Sequence, residues 1–521
     1  MKRRDFLKAA APATVLPFFV GGFSIKAFAN NPFLQTLMQN ESSDRVLVLI
    51  QLIGGNDGLS TLIPLDQYSQ MSKARANILI AEKDTLKITD TLAFHTQFSG
   101  MQNLFKQGKL AIVQNVGYPT PNFSHFRSTD IWLTGSDYNE VLSTGWMGRY
   151  LDQQYPGYPA GYPNSQMPDP VAIQIGSAVS LAFEGQNSNL GMAFSDPAAF
   201  NNVINDTTPP TANTRGGHEL AYVRSIGVQL QNFAAPVKAA VGKGATLSPQ
   251  WSTAGVNTLA DQLRIVAQLI AGGLKTKIYV VSLGGFDSHT DQRKNQDPLL
   301  QKVSSAISAF QDELKLHTLE DRVVGMTFSE FGRRIKSNDS GGTDHGAAAP
   351  MFVFGTQVIA GVQGKNPKLP DNATGEDNLN MEFDFRSMYA SVLKEWLGAT
   401  DADITNALLR QFSTLPIIKP QSGVEIPKPV NATELLQNYP NPSGGFGAPK
   451  STQITFRTMG GAASLRVFDI NGQLVNTLLD EQVAPGERTV SFNTSNLSSG
   501  SYLYRLEANG TSLTKTMVVM R

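Results

Sequence analysis

Three short apolar runs bordered by glycine, acids and histidine constrain this chain more than any other feature. The first, residues 278–283, breaks at Gly284-Gly285-Phe286-Asp287-Ser288-His289. The second, residues 323–328, breaks at Ser329-Glu330-Phe331-Gly332-Arg333-Arg334. The third, residues 351–354, follows a glycine-rich loop ending in Gly342-Thr343-Asp344-His345-Gly346. Runs of about four to eight apolar residues bounded by glycine predict strands buried on both faces, as in a parallel α/β sheet. Sites in such sheets form beyond the carboxyl ends of the strands. Asp287, His289 and Glu330 stand just past strand ends and His345 in the following loop, a placement that suits a metal.

Residues 45–53 predict another buried strand, which ends in Gly54-Gly55-Asn56-Asp57-Gly58. Glycines there would let the backbone turn sharply and present the Asp57 carboxylate; a plain Asn-Asp-Gly turn reads equally well. The spacing fits neither a phosphate loop nor a dinucleotide fingerprint. A helix over 98–107 and a strand over 110–116 precede Pro119-Thr120-Pro121-Asn122-Phe123-Ser124-His125. That lead-in predicts a helix start with Ser124 near its N-terminus, where free amides favour an anion. Ser124 reads either as a simple cap or as a hydroxyl placed to attack a phosphoryl or sulfuryl centre. His125 reads as a core histidine, and His95, His218 and His317 as structural.

Residues 150–250 are turn-rich and predict an insertion over the sheet. Helices are expected at 218–241 and 256–271, then one between the first two central strands carrying Leu299, Leu300, Val303, Ile307, Phe310 and Leu314. Residues 385–396 are expected as the last helix of the domain. The domain itself is expected over 45–412, followed by a Pro-rich linker over 413–434. From 435 to 521 short alternating strands separated by Asn-Gly and Ser-Gly turns predict a small β-sandwich.

The chain has 521 residues, 41% of them apolar, so it is long enough for a large domain and a smaller one. Basic and acidic residues number 43 each, which offers no bulk field for nucleic acid. Cysteine is absent, which excludes disulfides and thiolate ligands and leaves imidazole and oxygen for a metal. Residues 1–29 read as an export signal: a basic start, a moderately apolar stretch and Ala27-Phe28-Ala29 as cleavage site. Arg3-Arg4 before Phe6-Leu7-Lys8 resembles the twin-arginine (Tat) signal, implying the Tat machinery as a partner. No other stretch is long and apolar enough to predict a transmembrane helix in the mature chain.

Residues 438–521 resemble the type A C-terminal sorting domain of type IX secretion. The resemblance is carried by Asn438-Tyr439-Pro440-Asn441-Pro442, Asp469-Ile470-Asn471-Gly472, Tyr502-Leu503-Tyr504-Arg505-Leu506 and the terminal Lys515-Thr516-Met517-Val518-Val519. It implies the type IX machinery as a partner and a destination at the outer-membrane surface or outside the cell, by way of the periplasm. Residues 45 to about 400 resemble an exported family known as domain of unknown function 1501, itself similar to the alkaline phosphatase and sulfatase superfamily. Gly54-Gly55-Asn56-Asp57-Gly58, Asn122-Phe123-Ser124-His125-Phe126, Gly145-Trp146-Met147-Gly148-Arg149, Gly285-Phe286-Asp287-Ser288-His289, Ser329-Glu330-Phe331-Gly332-Arg333 and Thr343-Asp344-His345-Gly346 carry it.

The resemblance implies an alkaline-phosphatase-like α/β sheet flanked by helices. By order along the chain it makes Asp57, Asp287, His289, Glu330 and His345 metal ligands and Ser124 the nucleophile, with Arg127 or Arg333 as anion clamp. Two departures stand out. The superfamily's Asp-x-x-x-His is here Asp-x-His, and Glu330-Phe331 replaces an Asp-His dipeptide with the loss of one imidazole. One divalent metal (Zn, Mn or Mg) is therefore expected rather than two. The implied activity is hydrolysis of a small anionic phosphate or sulfate ester or of a polysaccharide bearing one. The alternative is a surface binding or scaffold protein that keeps the fold without the chemistry.

Overall fold

The computed structural model describes residues 44–159, 161–164, 167–186, 188–197, 232–419, 433–438, 440–444, 450–458, 461–483, 486–508 and 510–520. The export signal expected over 1–29, the loop at 207–217 and most of the linker lie outside the described residues. So does the first part of the helix expected over 218–241, which is described as helical from 232 to 243. Two compact units divide the chain, one running to Gln421 and one from Ser422 onward.

Among the described residues, the first unit is built on a nine-stranded sheet. In chain order its strands are β1 (Val46–Ile53), β2 (Leu110–Gly117), β3 (Ala172–Ile175), β4 (Gly191–Phe194), β5 (Ile278–Gly284), β6 (Val323–Phe328), β7 (Ala349–Phe354), β8 (Gly361–Gln363) and β9 (Phe383–Asp384). Across the sheet the order is β8-β2-β7-β6-β1-β5-β3-β4, with β9 also paired to β2. β1 lies at the centre, parallel to β5 on one side and β6 on the other. Leu47, Leu49, Ile50, Val281, Val324 and Met326 are all buried, which explains why these runs are apolar without alternation. Each such side chain contributes about 1.5–3 kcal/mol by leaving water.

The sheet is mixed, not parallel: β7 runs antiparallel to both β2 and β6. This reversal matters for the site. The parallel strands β5 and β6 deliver residues after their ends, whereas β7 delivers the residues before its start to that same edge. His345 lies in such a lead-in, within a two-stranded ribbon that pairs Arg333 with His345 and Gly332 with Gly346.

Helices cover the sheet. They include α1 (Gly58–Thr61), α2 (Ser99–Lys106), α3 (His125–Thr134), α4 (Thr258–Ala271), α5 (Gln292–Leu316), α6 (Phe385–Ser391) and α7 (Asp401–Leu408). α5 buries Leu300, Val303, Ile307, Phe310 and Leu314, the helical stripe read from the sequence. Two expectations need correction. β3 and β4 extend the sheet in its own plane, so this part of the 150–250 region is not laid over it. Their four-residue runs are too short to stand out among the surrounding turns. α7 follows the segment that was expected as the last helix of the domain, and its Thr400–Asp403 capping box explains where it starts. Among the described residues no helix is long and apolar enough to cross a membrane.

The second unit is a β-sandwich. One sheet orders Glu434–Leu435, Ser451–Thr458 and Gly486–Asn493; the other orders Ser443–Gly444, Thr511–Met520, Gly500–Ala508, Gly461–Phe468 and Leu474–Val483. Ile454 and Phe456 of the first sheet share one core with Leu465, Val467, Leu506 and Met517 of the second. The strand Leu474–Val483 goes beyond the sequence reading, because most of its side chains are exposed and leave no apolar alternation. Asn438 is tied in by its backbone N–H to the Tyr504 hydroxyl and by its side chain to Thr452.

Candidate metal centre

Beyond β5 the chain turns at Gly284-Gly285, buries Phe286 and brings Asp287 to the edge of the sheet. Gly54, at φ +120°, permits this: a side chain there would collide with the Phe286–Asp287 backbone. Gly55 has the corresponding role for the Phe331 ring. The two glycines after β1 therefore serve close approach by Asp287 and Phe331, not presentation of Asp57.

Three imidazoles converge on Asp287. Its Oδ1 lies 3.1 Å from His289 Nε2 and 3.2 Å from His345 Nε2, and its Oδ2 lies 3.4 Å from His125 Nε2. One ligand atom from each of His125, Asp287 and His345 falls within 4.8 Å of the others, the spread a single ion can span. The other nitrogen of each ring is already held. His345 Nδ1–H donates to the Phe123 carbonyl at 2.7 Å, His125 Nδ1–H to Glu330 Oε1 at 2.9 Å, and His289 Nδ1–H to Asp344 Oδ1 at 2.9 Å. A neutral imidazole that donates from Nδ1 has a lone pair at Nε2. All three lone pairs thus face the same carboxylate, and the Nε2 atoms of His289 and His345 are 2.9 Å apart. Imidazoles oriented through Nδ1 by a carboxylate or carbonyl are the usual partners of a metal ion. The donor set fits a divalent cation.

Charge supports the same arrangement. Burial alone would raise the Asp287 pKa; the hydrogen bond and the charge of Arg333 lead the contacts that outweigh it and hold the carboxyl at about 2. Burial lowers the His345 pKa against the pull of the Phe123 carbonyl and Asp287. Phe331 packs its buried ring on His345 at 4.4 Å and on His125 at 4.8 Å between centroids, forming an apolar wall.

The residues expected at the site take different places. Asp287, His289 and His345 come together. Glu330 is buried one step behind them, where its Oε1 accepts from both His125 and the Gly54 backbone. It orients a candidate ligand. Asp57 is sealed away at 1% exposure: its oxygens accept from the amides of Leu59 and Ser60, the Ser60 hydroxyl, Gln292 and Arg75. Burial would raise its pKa, but Arg75 and these hydrogen bonds bring it below the ordinary value. Its countercharge is a guanidinium, and no lone pair faces the imidazoles.

Arg333 is fully buried, so it offers no surface to a substrate. Its Nε and Nη groups donate to the carbonyls of Gly54, Gly55, Phe286 and Thr343 and to Asp287 Oδ1. Arg127 turns its Nη2 to the carbonyls of Asp137, Tyr138 and Glu140, holding that loop against α3. Ser124 is exposed at the N-terminus of α3, between Phe123 and His125, and its side chain makes no capping hydrogen bond. His125 is the residue that sequence reasoning missed. Its only signal was its position next to Ser124 at the start of a helix. His95 and His317 are structural, bonded to Asp297 and to Glu313 respectively, and His218 lies outside the described residues.

The mixed sheet with helices on it resembles the alkaline-phosphatase fold, and His125, Asp287 and His345 at its edge form a candidate metal-binding cluster. Residues 43–406 match the family described as "Protein of unknown function (DUF1501)", and the chain belongs to that family. Residues 437–520 match the secretion system C-terminal sorting domain, which marks the chain for export. No curated protein matches the chain. Among solved structures it is similar to a Bacteroides thetaiotaomicron chain from work on the metabolism of multiple glycosaminoglycans, at 11% identity and TM-score 0.35, covering 83% of this chain and 89% of that one. It is also similar to the PsFucS1 sulfatase of a Pseudoalteromonas species, at 9% identity and TM-score 0.34, covering 88% and 85%. A Vibrio parahaemolyticus protein of the alkaline phosphatase superfamily aligns at 10% identity and TM-score 0.33, covering 86% and 79%. Likeness this distant says nothing about chemistry.

Proposed function

We propose that this chain is an exported hydrolase of phosphate or sulfate esters that works with one divalent metal. The observation that carries the reading is the set of three imidazoles, each held through Nδ1, whose Nε2 atoms face Asp287. His125, Asp287 and His345 would hold the ion with His289 beside them, and the metal would supply Lewis acidity and a lowered pKa for a bound hydroxyl. Ser124 is the nucleophile of this reading: its exposed hydroxyl attacks phosphorus or sulfur, its proton leaves with the alcohol as the ester bond breaks, and water then cleaves the seryl ester to release phosphate or sulfate and restore the hydroxyl. The first-turn amides of α3 stabilise the anionic group at that point. Glu330 and Arg333 hold His125 and Asp287 in place. Arg333 is not retained as an anion clamp, since its buried guanidinium is committed to backbone carbonyls and Asp287, and Arg127 turns its Nη2 to the carbonyls of the loop beyond α3. Small anionic esters or polysaccharides carrying them are the substrates. The Tat signal and the sorting domain would route the chain through the periplasm to the outer-membrane surface or beyond.

The test is turnover of an aryl phosphate and an aryl sulfate by metal-loaded wild type and by Ser124→Ala. Loss of turnover in the variant at unchanged metal content supports the reading. A loaded wild type that turns over neither ester sinks it. One observation favours a second reading, a surface binding protein: Phe331 occupies the position where the resemblance calls for an imidazole, and its ring closes the space between His125 and His345.

A further inference from the structure

We propose that this centre is selective for a nitrogen-preferring ion of the zinc kind over magnesium or calcium, and that Arg333 sets the preference by leaving Asp287 one free oxygen. The inference rests on the metal-binding reading above and adds the identity of the ion and a positioning residue.

The donors decide the first half. Three imidazole nitrogens and one carboxylate face the centre. Magnesium and calcium require six or more oxygen ligands, several of them carboxylate or water. Zinc and its neighbours are satisfied by imidazole nitrogens with a single carboxylate oxygen. The other nearby carboxylates each face a hydrogen-bond donor. Glu330 accepts from Gly54 and His125, Asp344 from His289 and Asn338, and Asp57 from Arg75.

Arg333 decides the second half. Its Nη2 donates to Asp287 Oδ1 at 2.8 Å, while Oδ2 meets only His125 Nε2, at 3.4 Å. The guanidinium cannot swing away, because four backbone carbonyls from three separate segments hold it. A two-oxygen grip by Asp287, which hard ions favour, would need Oδ1 to leave a buried arginine. The charge-assisted bond to that arginine is among the stronger hydrogen bonds available to a carboxylate.

The experiment strips the full chain with a chelator, dialyses it against equimolar zinc, manganese, magnesium and calcium, and measures bound metal by mass spectrometry. The expected result is about one zinc per chain, with a preference over magnesium or calcium of ~100-fold or more in competition. Arg333→Lys keeps the charge and loses the planar fork, so it should narrow that preference. Should its melting curve show that it does not fold, His289→Asp, which exchanges a nitrogen donor for oxygen, should narrow it instead. Magnesium or calcium bound as tightly as zinc overturns the inference while leaving a metal site. A preference unchanged in the folded variant overturns the role of Arg333. Failure to bind any of the four overturns the metal reading itself.

Discussion

The Nε2 atoms of His289 and His345 stand 2.9 Å apart, while each ring gives its Nδ1 proton to another acceptor. Two lone pairs at that distance repel unless a cation stands near them. A bound ion should therefore stabilise the folded chain, by about 2.7 kcal/mol at a free concentration 100 times its dissociation constant. Adding chelator should lower the wild-type melting temperature by roughly 5 °C. In Asp287→Ala the chelator should have no effect, because the carboxylate common to the three rings is gone. An equal chelator response in both proteins would remove Asp287 from the site.

Ser124→Ala separates catalysis from capping. A true cap loses about 1 kcal/mol on such truncation. The Ser124 side chain makes no cap bond, so denaturant melts should shift by less than about 0.5 kcal/mol. A loss the size of a true cap would return Ser124 to that role.

Glu330 acts through His125, so its substitution should be felt as metal affinity. Glu330→Ala leaves both His125 Nδ1 and the Gly54 amide without an acceptor. The expected loss in affinity is about 10- to 100-fold. Glu330→Gln retains an acceptor oxygen and should fall less far. Equal losses for the two, read by metal titration, would argue that the carboxylate charge matters and not the orientation of the ring.

The Asp57–Arg75 pair is buried at 1% exposure on both sides, 2.7 Å apart. Arg75→Met leaves the carboxylate uncompensated and should cost about 3–5 kcal/mol at pH 7. The folded pKa of Asp57 is depressed below its unfolded value of about 3.9. Its contribution is thus complete above that value and is lost as pH falls through the lower folded one. Urea melts should show the gap between wild type and variant shrinking below about pH 4. A gap independent of pH would mean that the loss is one of packing.

Truncation after Gln421 should leave a first unit that melts cooperatively, because its sheet and core are complete before that point. Delivery outside the cell should be lost with the sorting domain. Aggregation of the shortened chain, or its normal delivery, would each count against this division.

Much of the fold was legible because its signals are local. The buried runs of β1, β5 and β6 are continuous in sequence, and so is the helical stripe from Leu300 to Leu314 in α5. The direction of β7 was not legible. Strand polarity depends on which neighbour a run meets, and β7 pairs with β2, more than two hundred residues earlier.

Within the site, Asp287, His289 and His345 could be read from glycine-bordered breaks beside apolar runs, since such breaks fall at a sheet edge whatever the detailed packing. Asp57 carries the same local signal and has a different fate. Both meet a buried arginine, and what separates them is the rest of their surroundings: Arg75 and the start of α5 enclose Asp57, while three imidazoles join Arg333 around Asp287. His125 shows the converse. Its neighbours mark only a helix start, and it joins the candidate cluster because Glu330, 205 residues away, fixes its Nδ1 and turns Nε2 to Asp287. The sequence by itself determined which segments become strands and which residues stand at their ends, because burial and backbone turning act over a few residues. Only the tertiary structure decided which charge meets which, because Coulomb and hydrogen-bond partners are chosen at contact distance, and these contacts join segments the chain keeps far apart.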